Sequence, residues 1–214
     1  MPQAISGEYV HLRRGIITAR ERFDVREDGG WRVSCALDST DPKKPEHLEI
    51  QAFFAPDWKI SELEARRKTS ALQISISSCR WREGGWSTVI SGGGQSPRDV
   101  HIPMVEGLEL SCTLAFFDGL LFRRLGLPPA SQVRAELLGF ETESLETVQT
   151  YRIIERLDDE RVRWSGQDIA AGRYRVTDPS GVTEAVWVHP EGLCLFRRAE
   201  DGGERYRLLG PNKA

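Results

Sequence analysis

The chain has 214 residues, and its 29 Lys and Arg stand against 32 Asp and Glu for a formal charge of −3. At roughly 150 residues per domain this length favours one domain, and such a chain buries about 70% of its unfolded surface, so it needs no disulfide or metal staple. The missing basic excess argues against a dedicated nucleic-acid binder.

The first residues, Met1-Pro2-Gln3-Ala4-Ile5-Ser6-Gly7, lack the charged, apolar and small-residue succession of a secretory signal. The chain holds no apolar run long enough to span a membrane as a helix. The expected compartment is therefore the cytoplasm, and the protein is not expected to be an integral membrane protein.

Short strands and tight turns dominate the first half. Residues 16–26 alternate, with Ile17, Ala19, Glu21, Phe23 and Val25 on one face. Glu27-Asp28-Gly29-Gly30 supplies turn chemistry before a second strand at 31–37. Further strands are predicted at 47–54, 61–68 and 72–80, then at 86–90 after the Glu83-Gly84-Gly85 turn. The Gly-rich stretch 91–97 reads as a flexible loop between two halves of the sheet.

The middle differs. Residues 108–114 alternate as a strand would. Ala115 to Leu125 is dense in apolar residues and ends on Arg123 and Arg124 before Gly126 and Pro128-Pro129, which predicts a short helix over 116–125. This helix is apolar nearly all round, so it should be buried or cover apolar surface. Strand rhythm resumes at 132–140, 146–155, 161–167, 172–177, 182–189, 193–198 and 205–209. That spacing defines a mainly β chain, a single antiparallel meander of so many strands that it must curl into a curved half-barrel or open barrel.

No GxSxG, HExxH or P-loop pattern occurs, and the four histidines are scattered. The cysteines Cys35, Cys79, Cys112 and Cys194 lack CxxC spacing and read as buried free thiols, with one disulfide or a reactive thiol as the alternatives. Polar residues on apolar faces say more. Glu21 shares a face with Ala19 and Phe23, and Glu155 with Tyr151 and Ile153. Turned inward, these carboxylates would recognise a polar head group or act as acid and base. The alternative is salt bridging at the sheet ends with Arg22, Arg152 or Arg156. Trp31 and Trp86 should pack on the hairpins they begin. Trp81, Tyr151, Trp164, Tyr174 and Trp187 lie on strands, as core or as ligand wall. Arg123 and Arg124 either cap the helix or meet an anionic head group.

The segment 108–127, LELSCTLAFFDGLLFRRLGL, resembles a motif of a bacterial family described as glycolipid-binding. Phe122-Arg123-Arg124-Leu125 matches the ending of that motif. The order downstream is also similar: two long strands, Tyr151-Arg152, a hairpin ending near Trp164 and a strand closing on Asp178 to Gly181. The resemblance implies an unclosed antiparallel barrel like that of periplasmic lipoprotein carriers, with the short helix across the concave side.

The expectation is noncatalytic binding of an apolar or amphipathic molecule, a lipid or glycolipid, in that concave side. The candidate ligand residues are Glu21, Trp81, Phe117, Arg123, Tyr151, Glu155, Trp164 and Tyr174, with no metal or cofactor. One alternative is a protein-interaction or structural module whose own helix fills the hollow. Another is an enzyme using Glu21 and Glu155. Homodimerisation stays open.

Overall fold

The computed structural model describes residues 4–210 apart from 44, 57, 59, 70–73, 83–84, 93–94, 104–106, 111, 113 and 141–144. In chain order the elements are β1 (Ala4–Arg13), β2 (Ile16–Glu27), β3 (Trp31–Ser39), β4 (Glu46–Phe54), β5 (Ile60–Thr69), β6 (Ile74–Arg82), β7 (Gly85–Gly92), β8 (Gln95–Pro103) and β9 (Glu109–Leu110). Then come α1 (Ala115–Leu125), β10 (Ser131–Phe140), β11 (Thr147–Arg156), β12 (Glu160–Trp164), β13 (Gln167–Thr177), β14 (Thr183–Val188), β15 (Cys194–Ala199) and β16 (Glu204–Leu208).

The strands form one sheet in the order β8-β7-β6-β5-β4-β3-β2-β1-β16-β15-β14-β13-β11-β10-β9, with β12 paired to β13 off this path. Two antiparallel runs, β1–β8 and β10–β16, are therefore joined by their outermost members. Tyr9 lies opposite Leu208, and His11 opposite Tyr206. The β9–β10 pair is parallel. The edges of the path are β8 and β9, and only five residues, 104–108, or six Cα-to-Cα steps, separate Pro103 from Glu109. Extended chain of that length reaches about 20 Å, so the sheet must curl until its edges approach. An Arg98–Glu146 ion pair at 2.5 Å ties β8 to the approach to β11. The sheet is curved and barrel-like but not closed.

Burial follows the period of two. On β2, Glu21, Phe23 and Val25 are buried, and on β4 the series Leu48, Ile50, Ala52 and Phe54. These side chains face the hollow, which α1 crosses. From Ala115 to Phe122 every residue of the helix is buried.

Several expectations are corrected. Residues 4–13 form a strand that the sequence reading left out, and it joins β2 to β16 within the sheet. The 91–97 segment is a hairpin rather than a long loop: β7 runs to Gly92 and β8 starts at Gln95, where Gly92 pairs with Gln95. The 108–114 strand shrinks to Glu109–Leu110. The Gly93-Gly94 and Glu83-Gly84 pairs and the Trp81 side chain lie outside the described residues. Cys35, Cys112 and Cys194 are buried free thiols.

Candidate functional site

The concave side is organised around how α1 is held. Its N-cap residue, Leu114, offers no side-chain hydrogen bond to the first turn. A helix start leaves N–H groups without partners, and burying them unpaired is costly. Glu21 of β2 supplies the missing acceptor from across the hollow. Its Oε2 accepts the Ala115 N–H at 2.8 Å and its Oε1 the Phe116 N–H at 2.9 Å. His11 Nε2 lies 2.7 Å from the same Oε2. The carboxylate is wholly buried and its negative charge sits at the positive end of the helix.

A second buried carboxylate fixes the same helix one turn on. Asp118 Oδ1 accepts from Arg152 of β11 at 2.7 Å. Its Oδ2 accepts from Arg197 of β15 at 2.7 Å and from the Tyr206 hydroxyl of β16 at 3.0 Å. Burial by itself would push the Asp118 carboxyl up, but the Arg152 and Arg197 guanidiniums outweigh it and hold it below the ordinary aspartate value. Burial next to Asp118 raises the Tyr206 hydroxyl, so it stays protonated and donates. Arg197 also reaches Glu184 at 2.5 Å, and Glu184 reaches Arg205 at 3.0 Å, so the buried pair continues into a chain of charges.

Between these anchors the helix packs by its rings. Phe116 stacks on Phe23 at 4.7 Å between centroids, and Phe122 lies 4.6 Å from Tyr174. Phe117 faces Phe54 at 6.3 Å. Gly119 is needed for the fit: a Cβ there would stand 2.5 Å from the Gly192 carbonyl oxygen and 3.0 Å from the Cys194 nitrogen. The glycine that weakens the helix on propensity grounds lets it approach the sheet. At the other end Arg124 pairs with Glu109 at 2.5 Å, and the Arg123 guanidinium lies 5.3 Å from the Trp58 ring centroid. Trp58 in turn stacks on Trp31 at 4.9 Å.

The structure thus gathers Glu21, Phe117 and Tyr174 in the hollow, with Arg123 at its rim. It does not bring Glu155 or Tyr151 there. On β11 the inward residues are Arg152 and Ile154, so the face carrying Tyr151, Ile153 and Glu155 turns outward, a correction to the inward expectation. Glu155 pairs with Arg175 at 2.6 Å, and the Arg134 guanidinium lies 3.9 Å from the Tyr151 ring centroid. Glu21 and Glu155 therefore stand on opposite faces of the sheet. Trp164 also lies outside the hollow, where its Nε1 donates to the Leu208 carbonyl at 3.0 Å.

The sequence reading missed Asp118, His11 and Arg197. For Asp118 a signal was present, since a lone acid in the first turn of an otherwise apolar helix requires buried cationic partners. Among the described residues no group of three or more His, Cys, Asp or Glu is arranged to hold a metal ion. Likewise no helix among them is long and apolar enough to cross a membrane.

No family profile and no curated protein matches the chain. Solved structures do. The chain is similar to a DUF1089 family protein from Pseudomonas aeruginosa at 18% identity and a TM-score of 0.61, over 91% of this chain and 95% of that one. It is also similar to a β-barrel-like protein of the domain of unknown function DUF1849 from Brucella abortus, at 10% identity and a TM-score of 0.56, over 96% and 94% of the two chains. At these identities the likeness shows a shared fold, a curved antiparallel sheet of barrel-like form.

Proposed function

We propose that the protein is a noncatalytic binder of an amphipathic molecule with a long apolar tail, a lipid or glycolipid, and that α1 is a resident plug occupying the place of the tail. The observation that carries this reading is how the helix is seated. Its apolar side chains lie on an apolar wall, while its polar ties to the sheet run through the Glu21 and Asp118 carboxylates and the Arg124–Glu109 pair at its far end. A further sign is Tyr9, whose hydroxyl is buried beside these anchors with no hydrogen-bond partner among the described residues. A ligand head group placed there could pair with it.

Magnitudes decide which tails could compete. Five large apolar side chains of α1 (Phe116, Phe117, Leu120, Leu121 and Phe122) are at most 5% exposed. Their burial is worth about 8–15 kcal/mol in total. A sixteen-carbon chain brings ~0.8 kcal/mol per CH₂, or about 13 kcal/mol. The exchange is close to balanced for long tails and unfavourable for short ones, more so because the anchors must be released.

Calorimetric titration with saturated fatty acids of 8 to 18 carbons tests this. Binding is expected from about 14 carbons upward and absent at 8. Glu21→Gln, which weakens the N-terminal anchor, should tighten binding and admit shorter tails. Absence of binding in both proteins at every length would overturn the carrier reading. It would favour the second reading, a structural or interaction module completed by its own helix, which the full burial of residues 115–122 supports.

A further inference from the structure

The outer face carries a cleft that the plug account does not use. The β12–β13 hairpin turns at Ser165-Gly166, both at positive φ (50° and 80°), as a two-residue hairpin requires. It folds back over the convex side of β14–β16. Two indole hydrogen bonds fasten it. Trp187 Nε1 donates to Glu160 Oε2 at 3.1 Å near the start of β12, and Trp164 Nε1 donates to the Leu208 carbonyl at its end. Between these ties lies a cleft of about 420 Å³, within the range of small-molecule sites.

Strand register builds its floor. Arg173 stands opposite Trp187, Trp187 opposite Phe196, and Phe196 opposite Arg207, a row across four strands. The two rings stack at 4.6 Å. Arg198 lies over both, its guanidinium carbon 5.4 Å from the Trp187 centroid and 4.8 Å from that of Phe196. Arg161, Arg163 and Arg207 also line the cleft, against one acid, Glu160. Glu160 is already engaged by Arg173 at 3.3 Å and by the Trp187 indole. Arg207 pairs with Glu204. Arg161, Arg163 and Arg198 have no acidic partner among the described residues.

We infer that this cleft is a second binding site, for a small anion carried on a flat aromatic body, such as an aromatic carboxylate or aromatic phosphate ester. The Trp164 indole, partly buried, and the outer edges of the stacked Trp187 and Phe196 rings, with Val162 and Leu208 beside them, offer the apolar surface for the body. Arg198 rests on those rings, so its guanidinium is held in place and meets the anion at the rim of the floor. The cleft is on the convex face, and its ligand does not need α1 to move.

The test is calorimetric titration with 2-naphthoate, with the uncharged 2-naphthamide and with inorganic phosphate. The proteins are the wild type, Arg198→Gln and, as a control on the other face, Glu21→Gln. Saturable naphthoate binding is expected, at least tenfold tighter than naphthamide or phosphate, weakened at least tenfold in Arg198→Gln and unchanged in Glu21→Gln. Arg198 is exposed, so Arg198→Gln should melt like the wild type, which keeps a lost affinity interpretable. Equal binding of naphthoate and naphthamide, equal binding of phosphate alone, or an Arg198→Gln protein that binds as the wild type would each overturn the assignment. Failure of the fatty-acid titrations would leave this result untouched.

Discussion

On the concave side of the sheet, Glu21 and Asp118 are buried and every oxygen accepts a hydrogen bond. On the convex side, carboxylates such as Glu155 and Glu160 are partly exposed and pair with one arginine at a time. The difference follows from the cost of taking charge out of water. A buried carboxylate is tolerated only when several donors converge on it, so its partners come from distant strands and specify one arrangement of the fold. An exposed pair needs no convergence and contributes at most about 1 kcal/mol. Charges inside the hollow therefore position α1, whereas charges outside are free to meet ligands.

The comparison can be broken most sharply at Asp118. Asp118→Ala leaves Arg152 without its ion-pair partner and Arg197 with Glu184 alone, and about 3–5 kcal/mol of stability should be lost in urea denaturation. Glu21→Ala comes next. It removes the cap of α1 and strands two buried N–H groups, for an expected loss of about 2–4 kcal/mol. Gly119→Ala drives a methyl against the Gly192 carbonyl and should cost about 1–3 kcal/mol by the same assay. Glu155→Ala, on the outer face, should change stability by less than about 1 kcal/mol. A loss at Glu155 as large as that at Glu21 would erase the distinction between the faces.

Acid titration sharpens it further. The Asp118 carboxyl is held below its unfolded value of about 3.9, so its stabilisation is complete at neutral pH. It is lost as pH falls below that value and through the lowered folded one. The wild type should therefore lose stability steeply below about pH 4, and Asp118→Asn should show a shallower acid arm.

Much of the sheet was legible because strands buried on one face alternate, as 16–26 and 47–54 do. The helix was legible from its dense apolar run and its terminal arginines. What the pattern could not convey was direction and partnership. On β11 apolar and polar residues occur on both faces, and Arg152 turns inward because Asp118, far away in sequence, needs it. The role of Glu21 depended on His11, on a strand left out of the reading, and on a helix start 94 residues away. The Trp187–Phe196 floor arises only from the β14–β15 register, which no local periodicity encodes.

The central claim is that α1 is a plug that a long tail displaces. Hydrogen exchange of the 115–125 amides, with and without a saturating sixteen-carbon fatty acid, tests it directly. The amides of Ala115 and Phe116, bound to Glu21 in the free protein, should be slow to exchange and should become fast on loading while the β2–β4 amides stay protected. Unchanged protection of the helix in protein shown to carry the fatty acid would contradict the account.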